Sequence, residues 1–212
     1  MSSKFLAALD GSQLYPLTDR LLSGLSHADQ VQRLSAGGAK LVQLREKIAT
    51  SAEFCESARA ALLAARASGV KIIINDRVDI ALALNADGVH LGQDDLPAEA
   101  ARRLLGPDTI IGLSTHNLTQ AQAAATMPVD YIAIGPIFAT QSKEAADIPV
   151  GLAGLRLIRQ AIGNIPLVAI GGITLENCAS VLKGGADAVS VISGIWRPPS
   201  HAEAQVRRFL AS

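Results

Sequence analysis

Aromatic residues are nearly missing from this chain: two tyrosines, four phenylalanines and one tryptophan, 3% of the whole. A core must therefore be built from alanine, leucine, isoleucine and valine. Charge is also scarce, at 18%, and balanced, with 19 basic residues against 19 acidic. That balance leaves no general field to draw in nucleic acid or an anionic membrane. Affinity for any charged ligand must come from locally placed groups. The two cysteines, Cys55 and Cys178, lie far apart in segments with helical spacing. They form neither a disulfide framework nor a metal-ligand spacing and read as free thiols in a reducing cytosol. The apolar run near the N-terminus is too short for a signal peptide, and no uninterrupted apolar run is long enough to suggest a membrane span. What remains, 49% hydrophobic residues, suits a compact soluble enzyme rather than a disordered chain.

A rhythm runs through the chain: a short β-branched apolar run, a polar or glycine-containing turn, then an Ala/Leu-rich amphipathic stretch. The apolar runs fall at 13–18, 40–44, 70–75, 88–91, 110–114, 131–134, 166–170 and 188–192. The strongest helix spans 51–68, with Thr50 and Glu53 as a capping box and Gly69 as its stop. Asn117 caps a stretch ending near Thr126, and 151–161, 174–183 and 201–210 carry helical apolar spacing. Eight strands alternating with helices predict a parallel sheet, and favour a closed α/β barrel, the single-domain (β/α)₈ TIM fold, over an open doubly wound sheet. No G-x-G-x-x-G follows the first strand, which removes the simplest dinucleotide reading. Residues 1–12 read as an N-terminal extension. The irregular segment 135–150 would follow strand six as an active-site loop.

In such barrels the active-site groups come from the carboxyl ends of the strands and the loops that follow. Polar residues collect there. Alternation along strand two places Gln43, Arg45 and Lys47 on one side and Leu44 and Glu46 on the other. This donor-rich row suits an oxyanion such as diphosphate, although a solvated strand end would look the same. Strand one ends in Thr18-Asp19, strand three in Asn75-Asp76 and strand five in Ser114. The loops after strands four and six carry Asp95 and Thr140, Ser142 and Lys143. Asp76 and Asp95 are the metal candidates, because carboxylate oxygens suit a hard cation such as Mg²⁺. Singly, Asp95 reads as an exposed loop carboxylate or a helix N-cap, and Asp76 as a turn residue. Gly171-Gly172 after strand seven is the phosphate candidate, or a turn that needs positive φ. His90 reads as a packed or hydrogen-bonded histidine, His116 as bordering the pocket, and His27 and His201 as solvated residues at helix starts. Trp196 packs near the eighth loop.

The order of motifs resembles the thiamine phosphate synthase family. They are Leu-Tyr-Pro-Leu-Thr-Asp, Gln-Leu-Arg-Glu-Lys, Asn-Asp-Arg-Val-Asp-Ile-Ala, Gly-Val-His-Leu-Gly-Gln-Asp-Asp-Leu-Pro, Ile-Gly-Leu-Ser, Asp-Tyr-Ile-Ala-Ile-Gly-Pro-Ile-Phe-Ala-Thr, Ala-Ile-Gly-Gly-Ile and Val-Ile-Ser-Gly-Ile. The resemblance covers most of the chain. It implies condensation of 4-amino-2-methyl-5-hydroxymethylpyrimidine diphosphate with 4-methyl-5-(2-hydroxyethyl)thiazole phosphate, or its 2-carboxy form, to thiamine monophosphate and pyrophosphate. By position, Gln43, Leu44, Arg45, Glu46, Lys47 and Asn75 would hold the pyrimidine diphosphate. Asp76 and Asp95 would hold Mg²⁺, and Ser114 would sit beside the pyrimidine. Thr140, Gln141, Ser142, Gly171, Gly172, Ile192 and Ser193 would hold the thiazole phosphate, with Lys143 on the diphosphate. Ser142 departs from the family's usual threonine but keeps a hydroxyl.

The chemistry implied needs little covalent catalysis, because an aminopyrimidine can delocalise a developing cation. The catalytic set on this reading is Arg45, Lys47, Ser114 and Lys143; Arg45, Lys47 and Lys143, with the metal, stabilise the departing diphosphate. The partners expected are small molecules, not nucleic acid or a membrane; a homo-oligomer is left open. Two other readings stand beside the synthase: a thiazole tautomerase of the same superfamily, and a non-catalytic thiamine-precursor-binding regulatory protein. Neither requires the full diphosphate set found here.

Overall fold

The computed structural model describes residues 3–140 and 148–212. Eight parallel strands form one sheet: β1 (Leu14–Pro16), β2 (Leu41–Leu44), β3 (Lys71–Asn75), β4 (Gly88–Leu91), β5 (Ile110–Thr115), β6 (Tyr131–Ile134), β7 (Leu167–Ile170) and β8 (Ala188–Val191). Their spatial order is β1-β8-β7-β6-β5-β4-β3-β2. The ring closes through one bridge between Leu17 and Gln43, where the Thr18 N–H donates to the Gln43 carbonyl at 2.9 Å. This is the (β/α)₈ barrel expected. All eight strands fall within the predicted apolar runs, apart from Thr115, which extends β5 by one residue.

The main outer helices are α3 (His27–Ala36), α4 (Ser51–Ser68), α5 (Val78–Leu84), α6 (Ala98–Leu105), α7 (Leu118–Ala124), α8 (Gly151–Ile162), α9 (Leu175–Lys183) and α11 (Ala202–Leu210). The capping box at Thr50 and Glu53 is present, and Gly69 ends α4 with a φ of 70°. Both faces of each strand are buried, as parallel sheets require. One face joins the helices, through Val42, Leu44, Ile72, Ile74, Val89, Leu91, Ile111 and Ile132. The other fills the barrel, through Tyr15, Leu41, Ile73, Ile110, Tyr131, Ala133, Val168 and Ala188.

Three short helices were not foreseen: α1 (Lys4–Leu9), α2 (Arg20–Ser23) and α10 (Ser193–Trp196). The first changes the reading of residues 1–12. Phe5 and Leu9 of α1 belong to the interior cluster, together with Leu41, Ile110, Tyr131 and Ala188, the first residues of their strands. Phe5 stacks on Tyr131 at 4.0 Å between ring centroids and meets Tyr15 edge-on at 5.7 Å. The supposed extension is the floor of the barrel. Burying two large side chains there stabilises the fold by several kcal/mol, at roughly 1.5–3 kcal/mol each.

His27 also corrects its expectation. It begins α3 but has no solvent exposure, and its Nδ1 meets the Thr18 hydroxyl at 2.9 Å beside the Phe54 ring. The helix starts on its core-facing side, so its first residue is enclosed. Trp196 is fully buried as expected, and its Nε1 donates to the Leu17 carbonyl at 2.8 Å, which ties α10 to the end of β1. Among the described residues no helix is long and apolar enough to cross a membrane.

Candidate active site at the carboxyl rim

Alternation along β2 continues past the strand's last residue. Gln43 points into the barrel and Leu44 into the outer layer. Beyond them, Arg45 and Lys47 turn to carboxylates on neighbouring segments. The Arg45 guanidinium donates to Asp19 Oδ2 at 2.9 Å, and the Lys47 ammonium lies 2.5 Å from Asp76 Oδ2. Asp19 is itself fixed, since its Oδ1 caps α2 through the Leu22 N–H at 3.0 Å. The Arg45 backbone N–H donates to the Thr18 hydroxyl at 3.1 Å. The Arg45 cation is thus positioned from both its backbone and its side chain.

Glu46 does not join this group. Its Oε1 accepts the N–H groups of Lys47, Ile48 and Ala49, and its Oε2 faces Arg20 at 3.1 Å and His27 at 3.5 Å. Its pKa is held below the usual carboxylate range by those backbone N–H groups and by Arg20, against an opposing effect of burial. Glu46 shapes the turn that presents Lys47. Leu44 can offer a ligand only its backbone, because its side chain is wholly buried.

Asp76 and Asp95 come together as expected. Asp76 adopts a left-handed φ of 63°, unusual for a residue other than glycine. Its N–H donates to the His90 carbonyl at 2.8 Å, which links the ends of β3 and β4. Asp95 is neither exposed nor a helix cap. It is half-buried, its Oδ2 accepts the Gly92 N–H at 2.6 Å, and Pro97 holds the position before α6. Burial raises its pKa above the usual carboxylate range; the Gly92 N–H opposes this, and the neighbouring Asp76 carboxylate adds to it. Two carboxylates pressed together against their mutual repulsion are a donor set that fits a hard divalent cation. No group of three or more His, Cys, Asp or Glu converges among the described residues. A pair accords with Mg²⁺, which typically takes one or two carboxylates and fills its other positions with water and phosphate oxygens.

The far wall is built by β5 to β8. Ser114 Oγ meets His90 Nε2 at 2.8 Å, and Asn75 is buried at the end of β3. His116 Nδ1 meets the Gly135 carbonyl at 2.8 Å, so it braces the loop after β6 from the side. The base of that loop is pinned where the Val150 and Gly151 N–H groups donate to the Pro136 and Ile137 carbonyls at 2.8 and 3.0 Å. Gly171 and Gly172 have φ of 96° and 67°, and a Cβ on either would lie within 2.7 Å of Pro136 or Phe138. Close packing of the β6 and β7 loops is enough to require both glycines.

The chain matches the family described as thiamine monophosphate synthase over residues 14–195. It belongs to that family. A thiamine-phosphate synthase of Chloroflexus aurantiacus is 48% identical over 184 residues, covering 86% of this chain and 84% of that protein. One from Clostridium novyi is 49% identical over 186 residues, covering 87% and 91%. The solved thiamine phosphate pyrophosphorylase of Pyrococcus furiosus superposes with a TM-score of 0.83 at 36% identity, covering 95% of this chain and 96% of that one. The protein is accordingly an enzyme of the thiamine monophosphate synthase family, a transferase of a pyrimidinylmethyl group.

Measured against the expected family set, the structure brings Gln43, Arg45, Lys47, Asn75, Asp76, Asp95 and Ser114 to one rim. Thr140 stands at the edge of the described segment, and Gln141, Ser142 and Lys143 lie outside the described residues. Ile192 precedes α10 and Ser193 opens it, above the end of β8. Sequence reasoning missed the roles of Asp19 and Thr18 as supports for Arg45. The Thr-Asp pair at the end of strand one was the available signal, but its partner could not be read without the barrel's closure.

Proposed function

We propose that the enzyme joins 4-amino-2-methyl-5-hydroxymethylpyrimidine diphosphate to 4-methyl-5-(2-hydroxyethyl)thiazole phosphate, or its 2-carboxy form, in the cytoplasm with Mg²⁺. The observation that carries this reading is the Asp76–Asp95 carboxylate pair with the Lys47 ammonium against it, and Arg45 held by Asp19 at the same rim. The C–O bond to the diphosphate breaks with its electron pair on the leaving oxygen, and the thiazole nitrogen forms the new C–N bond. When bound at Asp76 and Asp95, Mg²⁺ would supply Lewis-acid stabilisation of the departing diphosphate. Arg45, preset by Asp19 and Thr18, and Lys47 donate charge-assisted hydrogen bonds to the same oxygens. Lys143 is assigned to the diphosphate as well. Ser114 and Gln43 flank the pyrimidine ring. Thr140, Gln141, Ser142, Gly171, Gly172, Ile192 and Ser193 hold the thiazole phosphate in register with it.

The test is pyrophosphate release by purified protein. It should require both precursors and Mg²⁺ together, with thiamine monophosphate appearing in equal amount. Release from the pyrimidine diphosphate alone at the same rate would refute the proposal.

A further inference from the structure

Below the rim, five side chains form one hydrogen-bonded chain across the inside of the barrel. Ser114 Oγ on β5 meets His90 Nε2 on β4 at 2.8 Å, and His90 Nδ1 meets the Tyr131 hydroxyl on β6 at 2.8 Å. The Tyr131 and Tyr15 hydroxyls lie 3.0 Å apart, and Gln43 Nε2 on β2 donates to the Tyr15 hydroxyl at 3.0 Å. The imidazole also stacks on the Tyr131 ring at 5.5 Å. Space for that ring is made by Gly112, where any Cβ would lie 2.0 Å from Tyr131. Both tyrosines and the histidine are buried, while Ser114 is half-open to the rim.

The chain has a direction. An amide nitrogen can only donate, so the Tyr15 hydroxyl accepts from Gln43; its own buried proton then needs an acceptor, and the Tyr131 hydroxyl at 3.0 Å is the one in reach. Burial pushes both phenols well above their ordinary pKa, so each keeps its one proton. Tyr131 then donates to His90 Nδ1. A ring that accepts at Nδ1 carries its proton on Nε2, the nitrogen that faces Ser114. Ser114 becomes an obligate acceptor from below, and its own proton is directed outward.

We infer that His90, Tyr131 and Tyr15 are positioning residues for the pyrimidine half-reaction, fixing Ser114 as a hydrogen-bond donor and Gln43 in a set orientation on opposite sides of that ring. The inference rests on the proposed function for the identity of the ring. The ligand group it selects at Ser114 is an acceptor, such as an unprotonated ring nitrogen. The Tyr15 and Tyr131 hydroxyls bond only within this chain of side chains and not to Arg45, Lys47, Asp76 or Asp95, so their loss should be felt by one substrate alone.

Tyr131→Phe removes two links and keeps the ring. Expected are a fall of about tenfold in kcat/KM for the pyrimidine diphosphate, the factor that follows from one buried hydrogen bond, and an unchanged KM for the thiazole phosphate. Inhibition by inorganic pyrophosphate, which reads the diphosphate cluster without the ring, should also be unchanged. In a Ser114→Ala background the Tyr131→Phe effect should shrink to the part carried through Tyr15 to Gln43. Additive effects in that cycle, or equal losses for both substrates, would overturn the inference. Should Tyr131→Phe fail to fold, Tyr15→Phe in a Gln43→Ala background gives the same cycle from the other end, judged by the same criteria. Independently of turnover, ¹⁵N NMR of His90 should show the Nε2–H tautomer in the wild type and a mixture in Tyr131→Phe; a mixture in the wild type would overturn the direction of the chain. A wild type with the fixed tautomer but without condensation would refute the proposed function instead.

Discussion

Acidification should weaken this fold through His27 in a defined window. The ring has no solvent exposure, its Nδ1 meets Thr18, and its Nε2 lies 3.5 Å from Glu46 Oε2 without a hydrogen bond. Burial lowers its pKa from 6.5 to about 4; Glu46 opposes the shift and Arg20 adds to it. Below pH 6.5 the unfolded chain therefore takes up a proton that the folded chain refuses. Stability from this group is complete above 6.5, declines as the pH falls toward 4, and levels off below. At about 1.36 kcal/mol per pKa unit, a depression from 6.5 to about 4 gives a loss of about 3 kcal/mol. Urea unfolding at steps from pH 7.5 to 4, on wild type and on His27→Asn, isolates the effect, because other titrating groups are common to both. The wild-type curve should fall by that extra amount relative to the variant. Parallel curves, or a relative gain by the wild type at low pH, would refute the argument.

Phe5→Ala should cost about 3–5 kcal/mol by leaving a cavity against Tyr131 and Tyr15; thermal unfolding measures it, and a loss under 1 kcal/mol would mean α1 is not the floor. Lys47→Met should lower kcat by on the order of 10²-fold, as removal of one transition-state donor does, with the unfolding midpoint unchanged because its side chain is half exposed. Asp95→Asn should abolish Mg²⁺-dependent turnover and leave the thermal midpoint level or higher, since it relieves repulsion from Asp76; a large fall in the midpoint would show Asp95 to be structural. Gly172→Ala should destabilise by about 1–3 kcal/mol through its left-handed φ and its contact with Phe138, read by chemical denaturation.

The strands were legible because β-branched runs buried on both faces leave a strong mark. The helix Ser51–Ser68 was legible to the residue because both its ends carry capping chemistry. Helices α1, α2 and α10 were not, since four to six residues are too few for a period to show. Rim polarity marked the site, and pairing Asp76 with Asp95 needed only adjacent strands. The Tyr15–Tyr131 contact was hidden for a different reason. A strand apolar on both sides does not announce which side faces inward, and the phenols meet across 116 positions. His27 misled because a helix start is usually solvated, whereas here Glu46 and Thr18 from other segments enclose it.

The seam between β1 and β2 has only one backbone bridge, so side chains do much of its stitching: Tyr15 to Gln43, Thr18 and Asp19 to Arg45. Groups read as serving the substrate therefore also hold the cylinder shut. Substitutions at Gln43 or Arg45 should loosen the whole molecule as well as the chemistry, whereas Lys47, outside those stitches, can change with little structural consequence. Tolerance to mutation around this mouth is lopsided, and a search for altered specificity has most freedom away from the seam.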